Sequence, residues 1–163
     1  VCVTRLLEQI ERLNRDDSEA AAEFGPLMLG PRGVEIDELV CVDGRTTVTS
    51  SPQIREFYAY ATWWRHCSVR LEWRDPHTTR EWNGHGPVRE MIVSDTAPGF
   101  LTPAGLTPSS TVLFALDDQD APFERAYFTF DGRAEPQVVY AGSEVSVFDD
   151  LTGYLESWRQ TLG

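Results

Sequence analysis

The feature that most constrains this chain is a change in the period of its hydrophobic residues. At the start, Val3, Leu6, Leu7, Ile10 and Leu13 recur at three-and-four spacing with Glu8, Glu11 and Arg12 opposite them, which predicts an amphipathic helix. Acidic residues follow (Asp16, Asp17, Glu19, Glu23), then a loop broken by Gly25-Pro26, Gly30-Pro31 and Gly33. Segments 39–42 and 46–49 flank Asp43-Gly44, the turn signal of a hairpin. A second helix is expected from Ser50-Ser51-Pro52, since serine caps free amides, proline suits the first turn, and Ser50 with Gln53 has capping-box spacing. Its apolar stripe is Ile54, Phe57, Tyr58, Ala61 and Trp64.

Beyond that helix the period falls to two. Val69, Leu71 and Trp73 alternate with Arg70, Glu72 and Arg74, the pattern of a strand with one wet face. Further strands are expected at 88–93, 112–116, 125–130, 137–140 and 145–148, joined by turns, with the Pro/Gly-rich segment 98–108 as a long connection. A closing helix over about 150–161 carries the stripe Leu151, Tyr154, Leu155, Trp158 and Leu162, with Asp149 and Asp150 suited to its N-terminus. Helices segregated from a mostly sequential antiparallel sheet define the α+β class. A length of 163 residues suits a single domain spanning 1–163.

Charge and composition exclude several functions. Acidic side chains number 26 against 14 basic ones, and every basic one is arginine. Without lysine there is no Schiff-base chemistry, no pyridoxal-phosphate anchor and no GxxxxGK[ST] loop. A net charge of −12 argues against direct nucleic-acid binding and against docking on an anionic membrane. Cys2, Cys41 and Cys67 are odd in number and lack CxxC pairing, which predicts free thiols in a reducing compartment. The first residues are charged (Arg5, Glu8, Glu11, Arg12), unlike a signal peptide, and no apolar run is of membrane length, so a cytoplasmic protein is expected.

No catalytic or metal motif emerges. His66, Cys67, His77 and His85 lie close in sequence, but their spacing fits no zinc pattern. There is no GxSxG elbow, and Asn83-Gly84-His85-Gly86 is a turn sequence without a phosphate-loop context. The pairs Asp16-Asp17, Asp117-Asp118 and Asp149-Asp150 sit at turns and helix starts, where acids are solvated or capping. Neither enzyme activity nor a cofactor is therefore expected.

Two distributed features remain. Residues 1–53 hold ten acids against five arginines and residues 111–163 ten against three, whereas 54–90 hold five against six. Acid thus concentrates towards both ends, and a field of one sign steers and orients a basic partner. The contact candidates are Asp117, Asp118, Asp120, Glu124, Glu144, Asp149 and Asp150. The second feature is a window holding Trp63, Trp64, Trp73 and Trp82 interleaved with Arg65, Arg70, Arg74 and Arg80. Periodicity assigns Trp64 and Trp73 to the core, which leaves Trp63 and Trp82 as exposed anchors, a role suited to Trp at interfaces.

The closing run PQVVYAGSEVSVFDDLTGYLESW resembles the end of a SUKH superfamily domain, the Smi/Knr-type immunity fold. Such domains end in a short strand, a turn, a second strand and a polar-capped helix; here these are Val138-Val139-Tyr140, residues 145–148, and the stripe Leu151, Tyr154, Leu155 and Trp158. The Pro-started SPQIREFYAYA leading to a strand that ends in Trp73 is similar to the middle of that family. The resemblance covers roughly 50–95 and 110–162 and rests on hydrophobic patterns. It implies a non-enzymatic immunity protein that binds and occludes a cognate toxin, often a basic nuclease or deaminase, with no catalytic residues to transfer. Two alternatives stay open: a regulatory or scaffold domain of similar fold bound to an endogenous protein, and a small ligand-binding domain or enzyme using the Trp/Arg patch.

Overall fold

The computed structural model describes every residue except Val1, Val69, His85, Pro103, Ala104, Asp120 and Ala121, and leaves out the side chains of Ser68 and Trp82. The opening stripe forms α1 (Val3–Asp16), with Val3, Leu6, Leu7 and Ile10 buried. The acidic stretch, for which no element was expected, is divided: Asp16 ends α1, and Glu19 and Glu23 lie in a short helix, α2 (Ser18–Phe24). Asp17 caps it, its Oδ1 accepting from the Ala20 amide at 2.9 Å, and Gly25 ends it at a φ of 101°.

After β1 (Met28–Leu29), the Asp43-Gly44 hairpin forms as expected from β2 (Glu38–Val40) and β3 (Thr47–Thr49), a two-stranded sheet of its own. Gly44 takes a φ of 71°, and Asp43 Oδ1 accepts from the Arg45 and Thr46 amides at 2.8 Å. Helix α3 (Pro52–Tyr60) follows, but its cap is Ser51, whose Oγ accepts from the Ile54 amide. Ser50 and Gln53 form no capping box. Gln53 reaches across to the last helix instead, as described below.

Three expectations in the middle of the chain give way. Of the single strand expected over 69–73, Leu71–Trp73 forms β5, half of an antiparallel hairpin with β4 (Trp64–Ser68), and Val69 lies outside the described residues. Strand β5 has no wet face: Leu71, Glu72 and Trp73 are all buried, because Arg65 and Arg74 neutralise the Glu72 carboxylate where it enters the protein. Next comes a short helix that hydrophobic spacing did not reveal, α4 (Pro76–Trp82). Asp75 caps it by accepting from His77 and Thr78, and Pro76 occupies its first turn. Residues 88–93, read as a strand, lie in α5 (Gly86–Asp95). Val88 and Ile92, four apart, bury together while Val93 points outward, so the helical period wins over a β-branched run.

The remaining strands match their patterns: β6 (Thr111–Asp117), β7 (Arg125–Thr129), β8 (Gln137–Ala141) and β9 (Val145–Phe148), before α6 (Leu151–Leu162). The main sheet is antiparallel throughout, ordered β1-β4-β5-β6-β7-β8-β9, and the fold is α+β.

Each face of this sheet carries a core. Side chains of α1, α3 and α6 pack on one face around Phe57, Trp64, Trp73, Phe114, Phe128 and Tyr154. Phe114 stacks on Phe128 with centroids 4.0 Å apart, and Trp73 Nε1 donates to the Tyr154 hydroxyl at 3.1 Å. The opposite face holds a smaller core in which Val88 and Ile92 of α5 meet Leu113, Tyr127 and Val139. There Asp95, at the end of α5, accepts from Arg125 Nε at 2.8 Å, Arg125 Nη2 at 2.7 Å and Tyr127 Oη at 2.6 Å. Helix α5 is thereby clamped over β7, two strands in from the β9 edge.

Candidate functional site

Strand β9 closes the sheet, with β8 as its neighbour on one side and no strand on the other among the described residues. Its pairing is regular: Ala141 opposes Val145, Tyr140 Ser146, Val139 Val147, and Val138 Phe148. Because side chains alternate across a strand, Ser146 and Phe148 turn to the α6 face while Val145 and Val147 turn to the α5 face. Helix α5 does not cover the latter pair, which are 45% and 50% exposed.

On the α6 face, β8, β9 and α6 enclose a cleft of about 290 Å³, lined in part by Glu124, Tyr140, Phe148, Tyr154, Trp158 and Thr161. The Tyr140 hydroxyl donates a short hydrogen bond to Glu124 Oε1. Burial first, and then the adjacent Glu124 carboxylate, push the Tyr140 phenol well above its ordinary value. It therefore stays protonated at neutral pH and serves as a donor rather than a nucleophile. Trp158 packs edge-on against both Tyr140 and Tyr154, so the cleft wall is aromatic with a carboxylate at one end.

The acids singled out by charge distribution divide by their surroundings. Asp117 is 3% exposed, not a surface contact. Its carboxylate organises the β6–β7 turn, Oδ2 accepting from the Phe123 and Glu124 amides at 2.7 Å and Oδ1 from Gln119 at 3.1 Å. A carboxylate that must satisfy three amides is held inward by them. Asp150 is also committed within the fold. Its Oδ1 caps α6 through the Gly153 amide at 2.9 Å, and Oδ2 accepts from Gln53 Nε2 at 3.0 Å. Gln53 Oε1 in turn accepts from the Thr152 amide at 3.1 Å, joining α3 to α6.

Asp118, Glu144 and Asp149 are exposed, and Glu124 is half-buried in the cleft. Glu144 immediately precedes β9 and Asp149 immediately follows it, about 17 Å apart at strand rise. Asp118 and Glu124 belong to the β6–β7 turn, at the same end of the sheet as Glu144, since Leu116 opposes Arg125, Arg125 opposes Ala141, and Ala141 opposes Val145. At the other end Asp149 has a cation within reach, Arg133 Nη1 at 3.7 Å. Asp120 lies outside the described residues.

The Trp/Arg window is dispersed by the fold. Trp73 is buried as its alternation requires; Trp64 is buried too, but on β4, because α3 ends at Tyr60 short of the helical stripe expected to include it, and the two ring centroids lie 5.0 Å apart. Trp63 is half-buried: its indole covers Gly30, where an added Cβ would come within 2.5 Å of Cδ1 and Nε1. The side chain of Trp82 lies outside the described set. Arg65 and Arg74 turn towards the buried Glu72, with Arg65 Nε at 3.2 Å, in a smaller cleft of about 190 Å³ beside Trp63.

Cys41 and Cys67 are buried, Cys2 is exposed, and none of the three is in a disulfide. Burial, reinforced by Asp43, pushes the Cys41 thiol up to about 11, and the Cys67 thiol contacts the Leu71 carbonyl at 3.0 Å. Neither environment activates a nucleophile. Among the described residues no three His, Cys, Asp or Glu side chains gather as metal ligands, and no helix is long and apolar enough to cross a membrane.

The β9 margin is thus the place where exposed acid, exposed valine and an unpaired strand edge coincide. Charge distribution pointed to Glu124, Glu144 and Asp149. Valines 145 and 147 and the aromatic cleft wall were overlooked, although the alternation V-S-V-F already set the two valines apart from Ser146 and Phe148. Comparison with family models, with curated proteins and with solved structures finds no match to this chain.

Proposed function

We propose that this chain is a cytoplasmic, SUKH-type immunity protein that binds a basic polypeptide toxin of the nuclease or deaminase class and blocks it by occlusion, without chemistry of its own. One observation carries the reading: Asp118, Glu144 and Asp149 stand exposed around an uncovered strand that presents Val145 and Val147, on a chain of net charge −12. Exposed acid next to exposed apolar surface is what a basic protein partner requires. The carboxylates steer its approach, and the valines supply area to remove from water. A toxin that acts on nucleic acid needs a cationic surface of its own, and this margin has the opposite sign. The order β8, turn, β9, capped α6 is the order on which the family resemblance was drawn.

Co-expression with the polypeptide encoded beside this chain tests the reading. Growth is expected to be restored when that neighbour is a toxin, and the isolated complex should weaken as salt rises from about 0.05 to about 0.5 M, because exposed charges are screened over a few ångströms at high ionic strength. A neighbour that kills equally well with and without this chain refutes the proposal.

A further inference from the structure

We propose that β9 is a docking strand: the partner adds an extended segment to its open edge, with cationic side chains at both ends of that segment meeting Glu144 and Asp149. The inference rests on the proposed function and specifies how the partner is held.

Natural sheets blunt their edges with very short strands, prolines, bulges or charges within the strand. The opposite edge follows this rule, since β1 is only two residues long. Strand β9 does not. It has four residues in unbroken register, contains no proline or charge, and reads Val-Ser-Val-Phe. Its acids lie immediately outside it, at 144 and 149.

That placement selects the occupant. If two copies of β9 paired antiparallel over their full length, the axis would pass between Ser146 and Val147. Glu144 of each copy would then face Asp149 of the other, and like charges directly opposed destabilise a strand pair. The same two positions attract a segment with Arg or Lys at its ends. Between those ends, alternate side chains would divide between the two faces. On the α5 side, apolar residues would cover Val145 and Val147. On the α6 side, they would lie against Phe148 and the aromatic wall, with a guanidinium able to reach the Glu124 carboxylate. Backbone pairing supplies the affinity and the charged ends supply the register, as in other strand-addition complexes.

The probe is a disulfide-cyclised hairpin peptide whose outer strand reads Arg-Thr-Val-Thr-Val-Arg, cyclised so that ordering the strand costs little on binding. It is titrated into the full chain and followed by amide NMR and hydrogen exchange. Protection is expected at backbone amides within 144–149. Glu144→Lys with Asp149→Lys, both at exposed side chains, should weaken binding at least about tenfold while leaving the circular dichroism unchanged. The same double variant should bind a hairpin with Glu in place of both Arg. Equal binding of a hairpin with Pro at the third position of its outer strand would overturn the proposal, as would protection confined to other strands. Co-expression separates the two readings. If wild type and the double variant neutralise the toxin equally, β9 docking fails and the immunity reading stands. If the hairpin docks on β9 but no toxin is neutralised, docking stands and the immunity reading fails.

Discussion

Replacing Asp95 with alanine isolates what holds α5 on the sheet. In the folded chain this carboxylate is 1% exposed and accepts three hydrogen bonds, two from Arg125 and one from Tyr127. Removing it leaves a guanidinium whose side chain is 13% exposed and a fully buried phenol hydroxyl without their acceptor. Breaking a buried pair from one side typically costs about 3–5 kcal/mol. Arg125 retains a bond to the Phe123 carbonyl at 2.8 Å, which places the expected loss towards the lower end, about 3 kcal/mol. For a chain of this length that corresponds to a fall in melting temperature of about 6–12 °C. Small domains are stable by about 5–15 kcal/mol, so the variant should remain folded and measurable. Urea unfolding followed by tryptophan fluorescence reads the loss. A second variant checks its origin: Asp95→Leu with Arg125→Met and Tyr127→Phe removes every polar partner together and should recover most of the stability, because no buried charge is left alone. A loss below about 1 kcal/mol for Asp95→Ala, or a triple variant no more stable than the single one, would refute the reasoning.

Asp117→Ala should cost roughly 2–4 kcal/mol by unlatching the β6–β7 turn, whereas Asp118→Asn should leave urea unfolding unchanged and act only on partner binding. Gly30→Ala forces a Cβ into the Trp63 indole and the Thr62 hydroxyl and should lose about 1–3 kcal/mol, with a shift in tryptophan emission. At pH 8 an aromatic disulfide reagent should titrate one thiol rapidly, Cys2, and reach Cys41 and Cys67 only on unfolding. The Cys41 thiol is raised from 9.0 to about 11, so the folded state favours its neutral form. Its contribution is complete below pH 9 and is lost as pH rises from 9 towards 11. Cys41→Ala should flatten the stability profile in that window, and an unchanged slope would count against the assignment.

Much of the fold was legible because its signals are local. The stripe from Val3 to Leu13, the Asp43-Gly44 turn and the short apolar runs between turns that form β7, β8 and β9 are all signals that a few residues settle among themselves. The same holds for Trp73, placed on the core side by alternation and found there, whereas Trp64 is buried from β4 and not from the helix whose stripe it was expected to extend. Local signals misled where two periods compete. Residues 88–93 are β-branched enough to suggest a strand, and they form a helix because Val88 and Ile92 find a second core on the far face of the sheet. Glu72 read as a wet position until Arg65 and Arg74 proved close enough to neutralise it.

For the candidate site the division is sharper. Residue identities alone set the net charge, the acids that bracket residues 145–148 and the apolar character of that strand. Which acids face outward depends on packing: Asp117 and Asp150 are drawn inward by amides and by Gln53, while Glu144 and Asp149 remain exposed. Packing also leaves β9 at the end of the sheet and α5 short of it. Strand order and sheet edges depend on pairings between residues far apart in the chain, and no local period encodes which strand is left without a neighbour.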